Sequence, residues 1–227
     1  MPPTDPPPDQ AAEPVRRYWG RHVRDDGTWR IDPANGSPLQ APGEDLAALR
    51  SGLGRTAGTA PALWPFYTTP PDDGRFGVEL EAEHAALSLY GLHQQGRREP
   101  MHKRDVRLGD ALRALRRSDR FSADAVDRRV AALANAGSAS VLVYRLRGLI
   151  TQLRGIGQPL DYDALLRDIQ RWHTPRSRNR ARRELGLAYY AWAAKPKDPA
   201  PSEDLAAAKD PAPSDDPAPA KDPAPAP

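Results

Sequence analysis

Histidines, a short glycine run and helically spaced arginines are the residues here whose types and spacing could do chemistry. Glu81-Ala82-Glu83-His84 has the carboxylate–His spacing of di-iron helical bundles, where Glu and His three residues apart share one helix face. Such a centre needs a second copy on another helix and two further glutamates. The other match, Glu99-Pro100-Met101-His102, contains a proline in a loop-like stretch. The residues around Glu81 therefore read as a solvated acidic helix start, and no metal or cofactor is expected. His93 falls on an apolar helix face and reads as a core histidine with its hydrogen bond satisfied. Gly52, Gly54 and Gly58 follow a helical stretch rather than a strand and lack a phosphate-cradling lysine, so they make no nucleotide loop. The chain has no cysteine, which excludes disulfides and a thiol nucleophile. No Ser, His and acid constellation stands out, and no enzyme is expected.

The arginines carry more information. In TPRSRNRARRELGLAYYAW, five fall within eight residues: Arg176, Arg178, Arg180, Arg182 and Arg183. On a helix, Arg176, Arg180 and Arg183 share one face. Leu185, Ala188, Tyr189 and Trp192 share the opposite face and would dock into a core. A helix side that repels itself so strongly anticipates an anion, and Glu184 alone is close in sequence to offset it. VRLGDALRALRRSDR divides the same way, with Leu108, Ala111, Leu112 and Leu115 against Arg113, Arg117 and Arg120. Here Asp110 and Asp119 could neutralise part of the basic face. GRREPMHKRD places Arg97, Arg98, Lys103 and Arg104 in a loop between helices. Arg50 and Arg55 bracket the glycine-containing end of LAALRSGLGR. Flexible basic loops reach phosphates but confer no base specificity. Aromatic residues sit mainly on apolar faces, leaving no platform for stacking bases. The expected mode is backbone-directed, with little sequence preference.

These side chains must be positioned by helices, because the interior shows helical periodicity and no convincing strand. Ala82, Ala85, Ala86, Leu89, Tyr90 and His93 line one face; Leu142, Leu146, Leu149, Ile150 and Leu153 line another. Ser122 and Asp161 suit N-caps, Thr174-Pro175 suits an N-cap and first helical position, and Gly155 and Gly157 suit a stop. The expected fold is all-α: eight or nine short helices in two small tandem bundles, residues 44–120 and 121–194. Residues 1–43 would form a proline-rich segment with a short helix, in which Tyr18 and Trp19 can pack, and a loop. Residues 195–227 repeat KDPAP from Lys197, Lys209 and Lys221 and would be a disordered tail.

Charge divides along the same boundaries. Residues 1–43 hold 5 Lys+Arg against 6 Asp+Glu, residues 44–194 hold 24 against 17, and residues 195–227 hold 4 against 7. The net +3 thus hides a body of +7 between mildly acidic ends. A basic body attracts polyanions through phosphate neutralisation and counterion release. No membrane-spanning run or signal peptide is legible, so a cytoplasmic protein without a membrane partner is expected.

LAALRSGLGR, ALSLYGLHQQ, the PMH and LGDALRAL stretch, DRRVAAL, PLDYDALLRDIQRW and RARRELGLAYY occur in this order. Together they resemble the CasB family, the small subunit of the type I-E CRISPR surveillance complex Cascade, over roughly residues 44–194. The resemblance implies a two-lobed helical protein without enzymatic activity. It implies two stacked copies against the Cascade backbone subunits that hold the guide RNA, within an assembly that also holds the large subunit. It further implies support of target and displaced DNA strands in the R-loop, with sequence read by base pairing. Arg50 and Arg55 then match basic residues near the end of the family's early helix, and Arg97, Arg98, Lys103 and Arg104 match its basic loop. Arg176, Arg178, Arg180, Arg182 and Arg183 match its basic last helix. The family often has two adjacent basic residues where this chain has Arg50-Ser51, and residues 25–43 look like an insertion. A purely structural assembly subunit and a free-standing, non-specific DNA-binding protein are the alternatives. For the latter, no helix-turn-helix is recognisable.

Overall fold

The computed structural model describes residues 16–71 and 76–191. Among these, the chain forms α1 (Tyr18–His22), α2 (Gly43–Arg50), a 3-10 turn (Pro61–Phe66), α3 (Val78–Gln94) and α4 (Leu108–Arg117). It continues as α5 (Ala123–Ala134), α6 (Ala139–Ile156), α7 (Tyr162–Trp172) and α8 (Pro175–Tyr190). Among the described residues no strand forms, and bridges such as Val23 with Trp29 and His102 with Leu160 are isolated. The fold is all-α, as the periodicity predicts. The KDPAP repeats and Trp192 lie outside the described residues.

Helix boundaries fall where side chains can satisfy free amides. The Asp161 carboxylate accepts the Ala164 N–H at 2.9 Å, and the Ser122 hydroxyl accepts that of Ala125 at 3.4 Å. Ser138 caps α6 in the same way. Thr174 precedes Pro175 at the start of α8, but its hydroxyl pairs with that of Ser177 instead of capping an amide. At the end of α6, Gly155 is still helical, and Gly157 makes the stop at φ 68°.

α3 is the hub, packed against α2, α6 and α7. The predicted stripe from Ala82 to His93 is buried, but so are Glu83, His84, Leu87, Ser88 and Gly91. A helix buried nearly all round needs close neighbours. At Gly91, a Cβ would stand 2.7 Å from the Leu49 Cβ of α2. Gly109 permits a matching approach of α4 to α8, where a Cβ would meet that of Ala188 at 2.6 Å. The turn between α4 and α5 lies near residue 120. One apolar cluster nevertheless continues across it, joining Leu112 and Leu115 to Val126, Val130 and Leu149.

The solvated acidic start expected around Glu81 is only partly so. Glu81 is exposed, but Glu83 is wholly buried and pairs with Arg17 at 2.8 Å. Burial alone would raise its carboxyl. Hydrogen bonds from Thr68 and Thr69 outweigh that and hold it below the usual range. The reason is tertiary: the segment after the 3-10 turn folds over the first turns of α3.

His93 is buried and hydrogen bonds through Nδ1 with the Tyr162 hydroxyl at 3.0 Å. Burial pushes it down to about 3, and burial also lowers His22, His84 and His102. The unfolded chain takes up these protons near pH 6.5, whereas the folded chain resists them. The stability that neutral His93 contributes is therefore whole above pH 6.5 and is lost as pH falls towards 3. Each group can remove up to about 1.4 kcal/mol per pH unit within its window. Melting temperature should plateau above about pH 7 and fall continuously below about pH 6.5. A melting curve unchanged at pH 5 would contradict this account of the core.

Candidate nucleic-acid interface

The basic loop between α3 and α4 is less free than its composition suggests. The Gln94 side chain donates to the carbonyls of Arg97 and Glu99 at 3.1 and 3.0 Å and accepts the Met101 N–H at 2.8 Å. Leu160 then exchanges backbone hydrogen bonds with Met101 and Lys103. The loop at residues 25–43 also docks here: Trp29 Nε1 donates to the Arg98 carbonyl at 2.7 Å, and Arg104 pairs with Asp25 at 2.8 Å. Arg97 pairs with Glu99 at 3.3 Å. Arg98 and Lys103 are exposed, and their side chains meet no protein acceptor among the described residues.

Arg97 also borders a shallow cleft of about 420 Å3 with Arg120 and Arg154. Arg120 donates to the Gly155 carbonyl at 2.6 Å, and Arg154 donates to that of Leu92 at 3.1 Å. These carbonyls belong to the last turns of α6 and α3, so both arginines oppose the negative end of a helix dipole. On α4, Arg113 pairs with Asp110 at 2.8 Å, as the sequence allows, while Arg117 stays exposed and unpaired among the described residues.

α8 sorts its five arginines by partner. Ala181, Leu185 and Tyr189 are buried, and Arg176, Arg180 and Arg183 are exposed. Arg180, however, pairs with Glu184 at 3.0 Å. Glu184 also receives a two-pronged contact from Arg171 and a third arginine, Arg107, at 3.2 Å. Hydrogen bonds from Arg171, then Arg180 and Arg107, pull its carboxyl down to about 2. Arg182 departs from the sequence expectation. It turns inward, donates to the Ala136 carbonyl at 2.9 Å and lies 5.8 Å from the centre of the Trp172 ring. It fastens α8 to the turn between α5 and α6. Arg176, Arg178 and Arg183 have no acceptor among the described residues.

Arg50, at the end of α2, and Arg55, just beyond it, are likewise unpaired among the described residues. Arg55 borders a cleft of about 470 Å3 together with Tyr144 and Arg147 of α6. Neither Tyr144 nor Arg147 stands out from the arginine pattern of the sequence. Tyr144 is 75% exposed, an exception to aromatic residues sitting mainly on apolar faces. A helical wheel carries the signal, since both lie away from the Leu142, Leu146 and Leu149 stripe. The thirteen predicted basic residues therefore do not converge on one point. They form a tethered loop group, a pair at the end of α2, a pair on α4 and an α8 group, with Arg113 and Arg180 paired to nearby carboxylates and Arg182 bonded to the turn between α5 and α6.

Fold and surface together define an all-helical protein with its arginines held at the surface by one continuous core. The chain belongs to the Cse2 family of CRISPR-associated proteins, whose model (CRISPR-associated protein Cse2) matches residues 45–190. The chain is similar to CasB from Thermobifida fusca at 30% identity and a TM-score of 0.52, covering 65% of this chain and 84% of that one. Two others share the fold. A Cse2-family protein from Thermus thermophilus has 23% identity and a TM-score of 0.51, with 65% and 86% covered. A chain of a CRISPR RNA-guided surveillance complex has 19% identity and a TM-score of 0.52, with 66% and 83% covered. No curated protein gave a match. Among the described residues, no helix is long and apolar enough to cross a membrane.

Proposed function

We propose that this chain is a non-catalytic, nucleic-acid-binding subunit of a type I-E CRISPR Cascade complex. It sits against the backbone subunits that carry the guide RNA, with a second copy of itself and the large subunit in the same assembly. Its arginines contact phosphates of the target and displaced DNA strands and stabilise the R-loop, while base pairing with the guide reads the sequence. One observation carries this reading beyond family membership. Arg50, Arg55, Arg98, Arg117, Arg176, Arg178 and Arg183 have no protein acceptor among the described residues. Arginines that only stabilised the fold would resemble Arg171 or Arg182, which have named partners.

Reconstitution tests the reading. The chain should co-purify with guide-RNA-containing Cascade, and its omission should shorten R-loop lifetime without altering the pairing of guide and target. Normal R-loop lifetime in a complex lacking the chain would refute the proposed role.

A further inference from the structure

We propose that the cleft between the Gly52–Ala57 loop and α6 is a slot for one unpaired nucleotide, its base stacked on Tyr144 and its phosphate held by Arg55 and Arg147. The inference deepens the proposed nucleic-acid role and rests on it.

The cleft of about 470 Å3 falls within the size range of small-ligand sites. Its wall comes from Gly52, Gly54, Ala85, Val143 and Ile169, with the buried polar side chains of His84 and Ser88 among them. Tyr144 is 75% exposed, and its hydroxyl has no partner among the described residues. A ring left so open at the mouth of an apolar cleft can stack on a base, because every base has a π-face. Arg147 follows Tyr144 by three residues and therefore projects from the same side of α6. Its guanidinium crosses to the glycine loop, where a Cβ at Gly54 would stand 3.5 Å from Nη1. Arg55, the next residue, faces the same space. Neither guanidinium has an ion pair or hydrogen-bond acceptor among the described residues, so two uncompensated arginines border the same cleft.

Glu81 and His173, which also line the cleft, approach to 3.9 Å. The Glu81 carboxylate can accept a base N–H. Apolar wall, open ring, two cationic donors and one acceptor together match a nucleotide better than a peptide, which would need a line of backbone partners. Arg176 follows His173 by three residues, so at most about 11 Å of chain separates the slot from the basic start of α8. A strand entering the slot would thus continue over arginines already unpaired.

The test compares binding of the full chain to oligothymidine of about twelve nucleotides and to an abasic strand of equal length. The wild-type chain should prefer the base-bearing strand about tenfold. Tyr144→Phe should keep this preference. Tyr144→Ala should erase it while leaving thermal melting and salt dependence intact, since an exposed ring contributes little to the core. Arg147→Ala should reduce the salt slope by about 0.7 for either strand. Equal wild-type binding of both strands with a steep salt slope would overturn the slot and leave the wider nucleic-acid reading standing. Salt-independent binding of both strands would overturn that reading and the slot with it. If Tyr144→Ala bound both strands like the wild type but failed to enter Cascade, the cleft would belong to a protein partner and the slot would fall.

Discussion

Replacing Trp19 with alanine should lower folding stability by about 3–5 kcal/mol, near the upper end for a single core truncation. The family match begins at residue 45, so α1 lies outside it. Trp19 is nevertheless completely buried, with ring centres of Tyr162 and Tyr90 at 5.5 and 6.0 Å. Its Nε1 donates to the Asp163 carboxylate at 3.1 Å, fastening α1 to the first turn of α7. Truncation would open a large void and leave Asp163 without that donor. For a domain of this size, the loss corresponds to a melting temperature roughly 6–20 °C lower. Trp19→Phe should lose much less, because it fills most of the space and forfeits one hydrogen bond. Thermal melting followed by circular dichroism reads both variants. A Trp19→Ala chain that melted like the wild type would show α1 to be an accessory.

The second large effect lies on the outside. Changing Arg176, Arg178 and Arg183 together to alanine should weaken single-stranded DNA binding about a hundredfold at moderate salt, at about 1 kcal/mol per phosphate contact. Folding should survive, since none of the three has a protein acceptor among the described residues and alanine favours helix. Arg182→Ala is the informative contrast. It removes one of two donors to the Ala136 carbonyl, the other being Trp172 Nε1, and the cation over Trp172, so it should lower the melting temperature first. In the assembled complex, the triple variant should shorten R-loop lifetime without slowing guide pairing. If the triple variant instead bound DNA normally and lost only stability, the arginines of α8 would be structural.

Local pattern was legible in the sequence because it depends only on residues a turn or two apart. The stripe Leu142, Leu146, Leu149, Ile150 and Leu153 is buried as its spacing predicts, and Ser122 and Asp161 cap as their types predict. The outward placement of Arg176 and Arg183 follows from the same arithmetic. What was not legible depends on partners far along the chain. Arg178 and Arg182 are one helical turn apart, but only Arg182 meets a carbonyl, that of Ala136, 46 positions away. Glu83 looked solvated until Arg17 and Thr68 came over it. Arg180 looked free beside Glu184, but a single carboxylate gathers three arginines from α8, α7 and the start of α4. The Tyr144 cleft needed α6 set against the glycine loop, a juxtaposition that periodicity within α6 cannot reveal.

The most direct test of the central claim, that unpaired outward arginines grip nucleic-acid phosphates, is the salt dependence of single-stranded DNA binding by the full chain and its Arg176, Arg178 and Arg183 triple variant. Log affinity should fall linearly with log salt for both proteins, and the slope should be shallower by about 2 in the variant, roughly 0.7 for each phosphate no longer neutralised. An affinity indifferent to salt, or a slope unchanged by removing all three arginines from a folded protein, would contradict the account.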